Sequence, residues 1–72
     1  MPYRVEQYGL GREQLADLAE RRDYCASLTG DFYVEPRSED GRLVGRIFHF
    51  ANEKAAVCFK LRYHGEPYGD WP

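Results

Sequence analysis

Asp40 and Gly41 stand between two runs rich in aromatic and branched residues, Phe32 to Arg37 and Arg42 to Phe50. This arrangement constrains the chain more than any other feature. An Asp-Gly pair accepts the positive φ angles of a tight two-residue turn, so the runs are expected to fold back on each other as antiparallel strands. With Asp40 and Gly41 as the loop, Val34 stands opposite Ile47, Tyr33 opposite Phe48, and Glu35 opposite Arg46. One face then carries Phe32, Val34, Leu43 and Ile47. The other carries Tyr33, Val44, Phe48 and Phe50 with the Glu35 and Arg46 charge pair, and a single layer of helices covers only one of the two.

The flanking segments supply the helices. Tyr3 to Tyr8 alternates apolar and polar residues at the period of a half-buried strand, with Tyr3, Val5 and Gln7 on one side. Gly9 and Gly11 break that run, and Gly11 followed by Gln14 imitates a capping box, so a helix is expected to begin there. Leu15, Leu18, Ala19, Cys25, Ala26 and Leu28 form its apolar stripe, and Gly30 stands where a left-handed C-cap belongs. Asn52 is a good N-cap and Glu53 complements the dipole of a second helix reaching to about residue 60 and ending before Gly65. Val57, Phe59, Leu61 and Tyr63 also alternate at strand period, which leaves helix or strand open over 57–63 and allows a short fourth strand near 61–64. Gly65 to Pro72, with two prolines and two glycines, reads as an irregular tail whose Tyr68 and Trp71 pack back.

Seventy-two residues hold one core, so residues 1–72 are expected to form a single domain. At 31% charged and 15% aromatic, the composition is neither that of a disordered chain nor that of a membrane span. No stretch pairs a basic region with an apolar run of signal-peptide length, which points to the cytoplasm, where the two cysteines stay reduced.

The net charge of −2 predicts neither a polyanion binder nor a strongly acidic surface, but the charges are unevenly placed. Asp31, Glu35, Glu39 and Asp40 oppose Arg37 alone, whereas Arg42, Arg46, Lys54, Lys60 and Arg62 oppose Glu53 alone. An acidic hairpin arm is thus followed by a basic segment.

Motifs that carry chemistry are few. Cys25, His49, Cys58 and His64 are metal-ligating types, but no two stand at the spacing of structural zinc motifs. Neither cysteine is marked as an activated nucleophile. Gly9-Leu10-Gly11 is too short for a dinucleotide fingerprint and lacks the lysine of a phosphate loop. Glu35 and Glu39 share their strand and turn with arginines, which favours solvated charge over acid and base work. No cofactor or metal is expected, and no enzymatic activity.

Two resemblances bear on function. Gly45-Arg46-Ile47-Phe48-His49-Phe50, followed by Ala55 and Ala56, resembles the third strand and second helix of RNA-recognition-motif domains. That likeness implies stacking of bases on strand aromatics, with Phe48 and Phe50 as the platforms and Arg46 assisting. Phe48, Phe50, Asn52, Ala55, Phe59, Lys60, Leu61, Arg62 and Tyr63 form a pattern that looks like short phage and prophage proteins, among them small anti-CRISPR inhibitors. This second likeness implies a protein that occupies a host protein's surface and assigns no residue a role.

The expectation is therefore an α+β domain in the order β-α-β-β-α, a small antiparallel sheet with both helices on one face, in a truncated ferredoxin-like arrangement. The function expected is stoichiometric binding of a host protein complex such as a CRISPR effector, with Tyr33, Glu35, Glu39 and Asp40 as contacts. The alternative is a module for RNA or single-stranded DNA using Arg42, Arg46, Phe48 and Lys60. A monomer, or a homodimer joined through the uncovered sheet face, fits either reading.

Overall fold

The computed structural model describes residues 1–67. Tyr68 and Trp71 lie outside the described residues. The elements are β1 (Tyr3–Tyr8), α1 (Leu15–Leu28), β2 (Phe32–Glu39), β3 (Arg42–Phe50), α2 (Glu53–Tyr63) and β4 (Glu66–Pro67). Every neighbouring pair is antiparallel in the order β2-β3-β1-β4. This is the ferredoxin-like order with its last strand cut to two residues. No described helix is long and apolar enough to cross a membrane.

The hairpin turn forms as its sequence dictates. Asp40 and Gly41 have φ of 52° and 76°, the pair of positive values that a two-residue turn matched to strand twist requires. Glu39 pairs with Arg42 and Ser38 with Leu43, as expected, but Arg37 then pairs with Gly45 and leaves Val44 without a partner on β2. The extra residue is a β-bulge, and beyond it every pair moves by one. Val34 stands opposite Phe48, Tyr33 opposite His49, and Glu35 opposite Ile47.

The shift reassigns both faces. Phe32 and Val34 join Phe48, Phe50 and Val5 on the helix side, whereas Tyr33, Glu35, Ile47 and His49 turn away from the helices. The expected Glu35 and Arg46 pair does not form, because the two side chains leave opposite faces. Packing favours this outcome, since it places both phenylalanines of β3 against Phe59 of α2, with ring centroids 4.4 Å and 5.6 Å away. Phe48, Phe50 and Phe59 are fully buried, with Val5 and Cys25.

Helix α1 starts at Leu15, and the capping signal acts one turn earlier. The Gly11 N–H donates to Gln14 Oε1 at 2.9 Å, and the Gln14 N–H donates to the Gly11 carbonyl at 3.2 Å. The inward stripe is Leu18, Tyr24, Cys25 and Leu28, while Leu15, Ala19 and Ala26 are exposed. Gly30 takes no left-handed conformation. Instead Thr29 ends the helix in extended backbone, with its N–H on the Cys25 carbonyl.

Asn52 caps α2 as expected, its Oδ1 accepting from the Ala55 N–H at 3.2 Å. The competing strand pattern over 57–63 is realised as helix, and Ala55, Ala56, Phe59 and Tyr63 face the core while Val57 and Leu61 are exposed. His64 closes the helix in the left-handed region at φ 55°. The fourth strand forms at Glu66–Pro67, beyond the expected 61–64, so the segment expected to be irregular begins with an ordered pairing to Val5 and Glu6.

Candidate functional site

The side of the sheet turned away from the helices holds three rows across β2, β3 and β1. They are Tyr33, His49 and Arg4; then Glu35, Ile47 and Glu6; then Arg37, Gly45 and Tyr8. Strand alternation brings these residues to one face, and the bulge at Val44 decides which residues of β3 join them.

Two contacts organise the β2 end of this face. The Tyr33 ring lies flat against the His49 imidazole, centroids 4.2 Å apart and planes 6° from parallel. Glu35 Oε1 lies 2.8 Å from His49 Nε2. An ionised carboxylate only accepts, so Nε2 carries the hydrogen. His49 is buried and, among the described residues, its Nδ1 meets no partner, whereas Tyr33 is 48% exposed and the Glu35 side chain 52%.

A second set links β2 to β1. Arg37 forms an ion pair with Glu6, whose side chain is nearly buried, and reaches Glu39 at 3.4 Å. Tyr8 donates its hydroxyl hydrogen to the Glu6 carboxylate, and that bond is the main cause that raises its ionisation above the usual phenol range. Glu39 and Asp40 are exposed at the end of the hairpin. The four expected partner contacts thus lie along one edge strand and its turn, with Tyr33 and Glu35 on the face and Glu39 and Asp40 at the tip.

The residues of the nucleic-acid alternative are not gathered in this way. Phe48 is fully buried in the core, as is Phe50, so neither offers a ring face to a base. The register shift is the physical reason. Arg46 points to the helix side, where its Nε donates to the Leu10 carbonyl at 2.9 Å and fixes the loop after β1. Arg42 lines a shallow cavity with Gly11, Arg12 and Gln14, while Lys60 lines a separate one with Leu61 and His64.

Sequence reasoning missed His49 as the support for Tyr33, having weighed it only as a metal ligand. It also missed Arg37 and Tyr8. The signal that would have found them is Gly45 beside Val44, since glycine inside a strand marks a bulge or a close backbone approach. A Cβ on Gly45 would collide with the Gln7 carbonyl and come within 3.1 Å of Tyr8 Cα.

Among the described residues no group of three or more His, Cys, Asp or Glu is placed to hold a metal ion. Cys25 and Cys58 are both free thiols, and burial pushes the Cys25 thiol up to about 12. A buried thiol so raised is not a nucleophile near neutral pH. A second polar cluster joins the helices to β1: Gln7 Nε2 donates to the Tyr63 carbonyl at 3.0 Å, and Arg21 Nε donates to Gln7 Oε1 at 2.8 Å. The Arg21 guanidinium also lies over the Tyr63 ring, 4.4 Å from its centroid. These groups satisfy one another and lock α1 and α2 to the sheet.

Comparison of the chain with protein-family models, with curated proteins and with solved structures finds no match.

Proposed function

We propose that this protein is a stoichiometric, non-enzymatic binding module that engages a basic surface of another protein through β2 and its turn. The observation that carries the reading is the placement of exposed Glu35, Glu39 and Asp40 on one strand and turn beside the half-exposed Tyr33. Carboxylates at a projecting edge steer association with an arginine- and lysine-rich surface, and an aromatic ring beside them provides an anchor. Surfaces of that charge line the grooves in which proteins hold nucleic acid. The likeness to small phage proteins makes the reading more specific: a phage-encoded inhibitor of a bacterial defence complex, of the anti-CRISPR type, that occupies a nucleic-acid-binding or assembly surface of a CRISPR effector in the host cytoplasm.

The test is biolayer interferometry of the protein on a purified CRISPR effector, beside fluorescence anisotropy with labelled single-stranded RNA, single-stranded DNA and duplex DNA at two salt concentrations. The expected result is effector binding whose association slows at least tenfold in Glu39→Lys/Asp40→Lys, as steering by charge requires, with no saturable nucleic-acid binding. Salt-sensitive, saturable binding to nucleic acid without effector binding would replace this reading with the nucleic-acid module.

A further inference from the structure

We infer that Tyr33 and Glu35 form a receptor for a single arginine side chain of the protein partner. The inference rests on the binding reading above and names the chemical group that the site selects. One face of the Tyr33 ring is taken by His49, with the planes 6° from parallel. Because β2 is the edge of the sheet, the opposite face of the ring turns toward solvent, which accounts for the 48% exposure. His49 is itself fixed by Glu35 Oε1 at 2.8 Å, so ring and carboxylate are held in place before any partner arrives.

Glu35 lies two residues along the same face of the strand, and only its Oε1 is engaged among the described residues, leaving Oε2 as an acceptor. A guanidinium is planar and weakly hydrated, so it can stack on the open face of Tyr33, while Glu35, whose carboxylate is turned to His49 on the other side of the ring, attracts it by charge. An ammonium is a compact, strongly hydrated point charge and stacks less well on the ring. Asp31 and Glu39, near the two ends of the strand and both exposed, add negative potential without competing for the ring. Preorganisation of Tyr33 by His49 lowers the ordering cost on binding.

The test is an NMR titration of the isotope-labelled protein with a capped Gly-Gly-Arg-Gly-Gly peptide and, separately, its lysine counterpart. The arginine peptide is expected to shift the signals of Tyr33, Glu35 and His49 first and to bind about threefold more tightly than the lysine peptide. Tyr33→Leu should remove that preference and Glu35→Gln should weaken both peptides, with the rest of the spectrum retained in each variant. Equal affinity for the two peptides, or shifts centred on Glu39 and Asp40, would overturn the inference. That result with effector binding intact removes the arginine receptor and keeps the binding reading. An arginine preference that depends on Tyr33, in a protein that binds no effector, upholds the receptor and removes the partner.

Discussion

Arg37 on β2 is ion-paired with Glu6 on β1, two strands away, and Gly45, which stands opposite Arg37 on the intervening β3, has no side chain to separate them. The Glu6 side chain is 8% exposed and that of Arg37 26%, so the carboxylate is desolvated more than its partner. Removing the guanidinium strands a nearly buried negative charge, which costs more than the pair itself contributes. Arg37→Ala is expected to lower stability by about 2 kcal/mol, discounted for the exposure of Arg37. Glu6→Gln in the Arg37→Ala background should restore part of the loss. Urea melts of the two single variants and the double variant measure this, and additive losses would show that the two side chains do not interact.

Phe48→Ala tests the core. A fully buried phenylalanine whose ring lies 4.4 Å from that of Phe59 is worth about 3 to 5 kcal/mol on truncation. Small domains have total stabilities of that order, so the variant should be largely unfolded at 25 °C by circular dichroism. A folded Phe48→Ala protein with a normal melting transition would mean that this side chain is not core.

The hairpin was legible where local chemistry decides it and illegible where counting does. Asp40-Gly41 and Asn52 announced their turn and cap because each acts on backbone within three residues. The faces of the sheet depended on whether β3 holds one residue more than β2 needs, and the turn carries no information about Val44. An error of one residue exchanged the faces of Phe48 and His49, and with them the core and the candidate site. Likewise Leu15, Ala19 and Ala26 satisfied helical periodicity yet face solvent, while Tyr24 and Arg21 complete the buried side through their aromatic and cation contacts with Tyr63. The exposure of Glu39 and Asp40 was legible because charge at a hairpin turn stays exposed under either register. Their aromatic neighbour Tyr33 owes its support to the bulge.

Cys25 predicts an alkaline limit. Burial holds its thiol protonated up to about 12, from an ordinary value of 9.0. A pKa raised by folding contributes stability that is complete below the unfolded value and is lost as pH climbs through the folded one, since the folded state keeps a proton that the unfolded state releases. Unfolding free energy should therefore fall between about pH 9 and 12, more steeply in wild type than in Cys25→Ala. Tyr3 and Tyr8 are also raised and contribute a background slope common to both proteins. Identical slopes would place no linked proton on Cys25. In the same vein, the half-buried Cys58 should react with a thiol reagent in the native protein at pH 8, while Cys25 reacts only on unfolding.

Pro36 guards the free edge of the sheet. The Asp31 carbonyl accepts from the Ala51 N–H, so alternate pairs such as Tyr33 with His49 are hydrogen-bonded and the nitrogen of Pro36 faces away from β3. A proline there removes a donor that another strand could use. Pro36→Thr restores the N–H at no cost to the β2–β3 ladder and is expected to promote concentration-dependent self-association. Sedimentation across a hundredfold dilution series measures this, and a strictly monomeric variant would show that the proline is not the guard.

The unpaired Val44 also sets how this chain tolerates change. Val44 has no partner on β2, so removing it would bring Leu43 and Gly45 together opposite Ser38 and Arg37 and leave Val34 opposite Phe48 and Tyr33 opposite His49. The hairpin thus carries one spare residue, and the loss of one residue from β3 can be taken up by closing the bulge with Phe48 and Phe50 still on the helix side. A gain of one residue in β3, or a loss of one from β2, has no such slack, because it puts the strands out of step by a further residue. A library that shortens β3 by one residue should yield folded members, and one that lengthens it by one almost none.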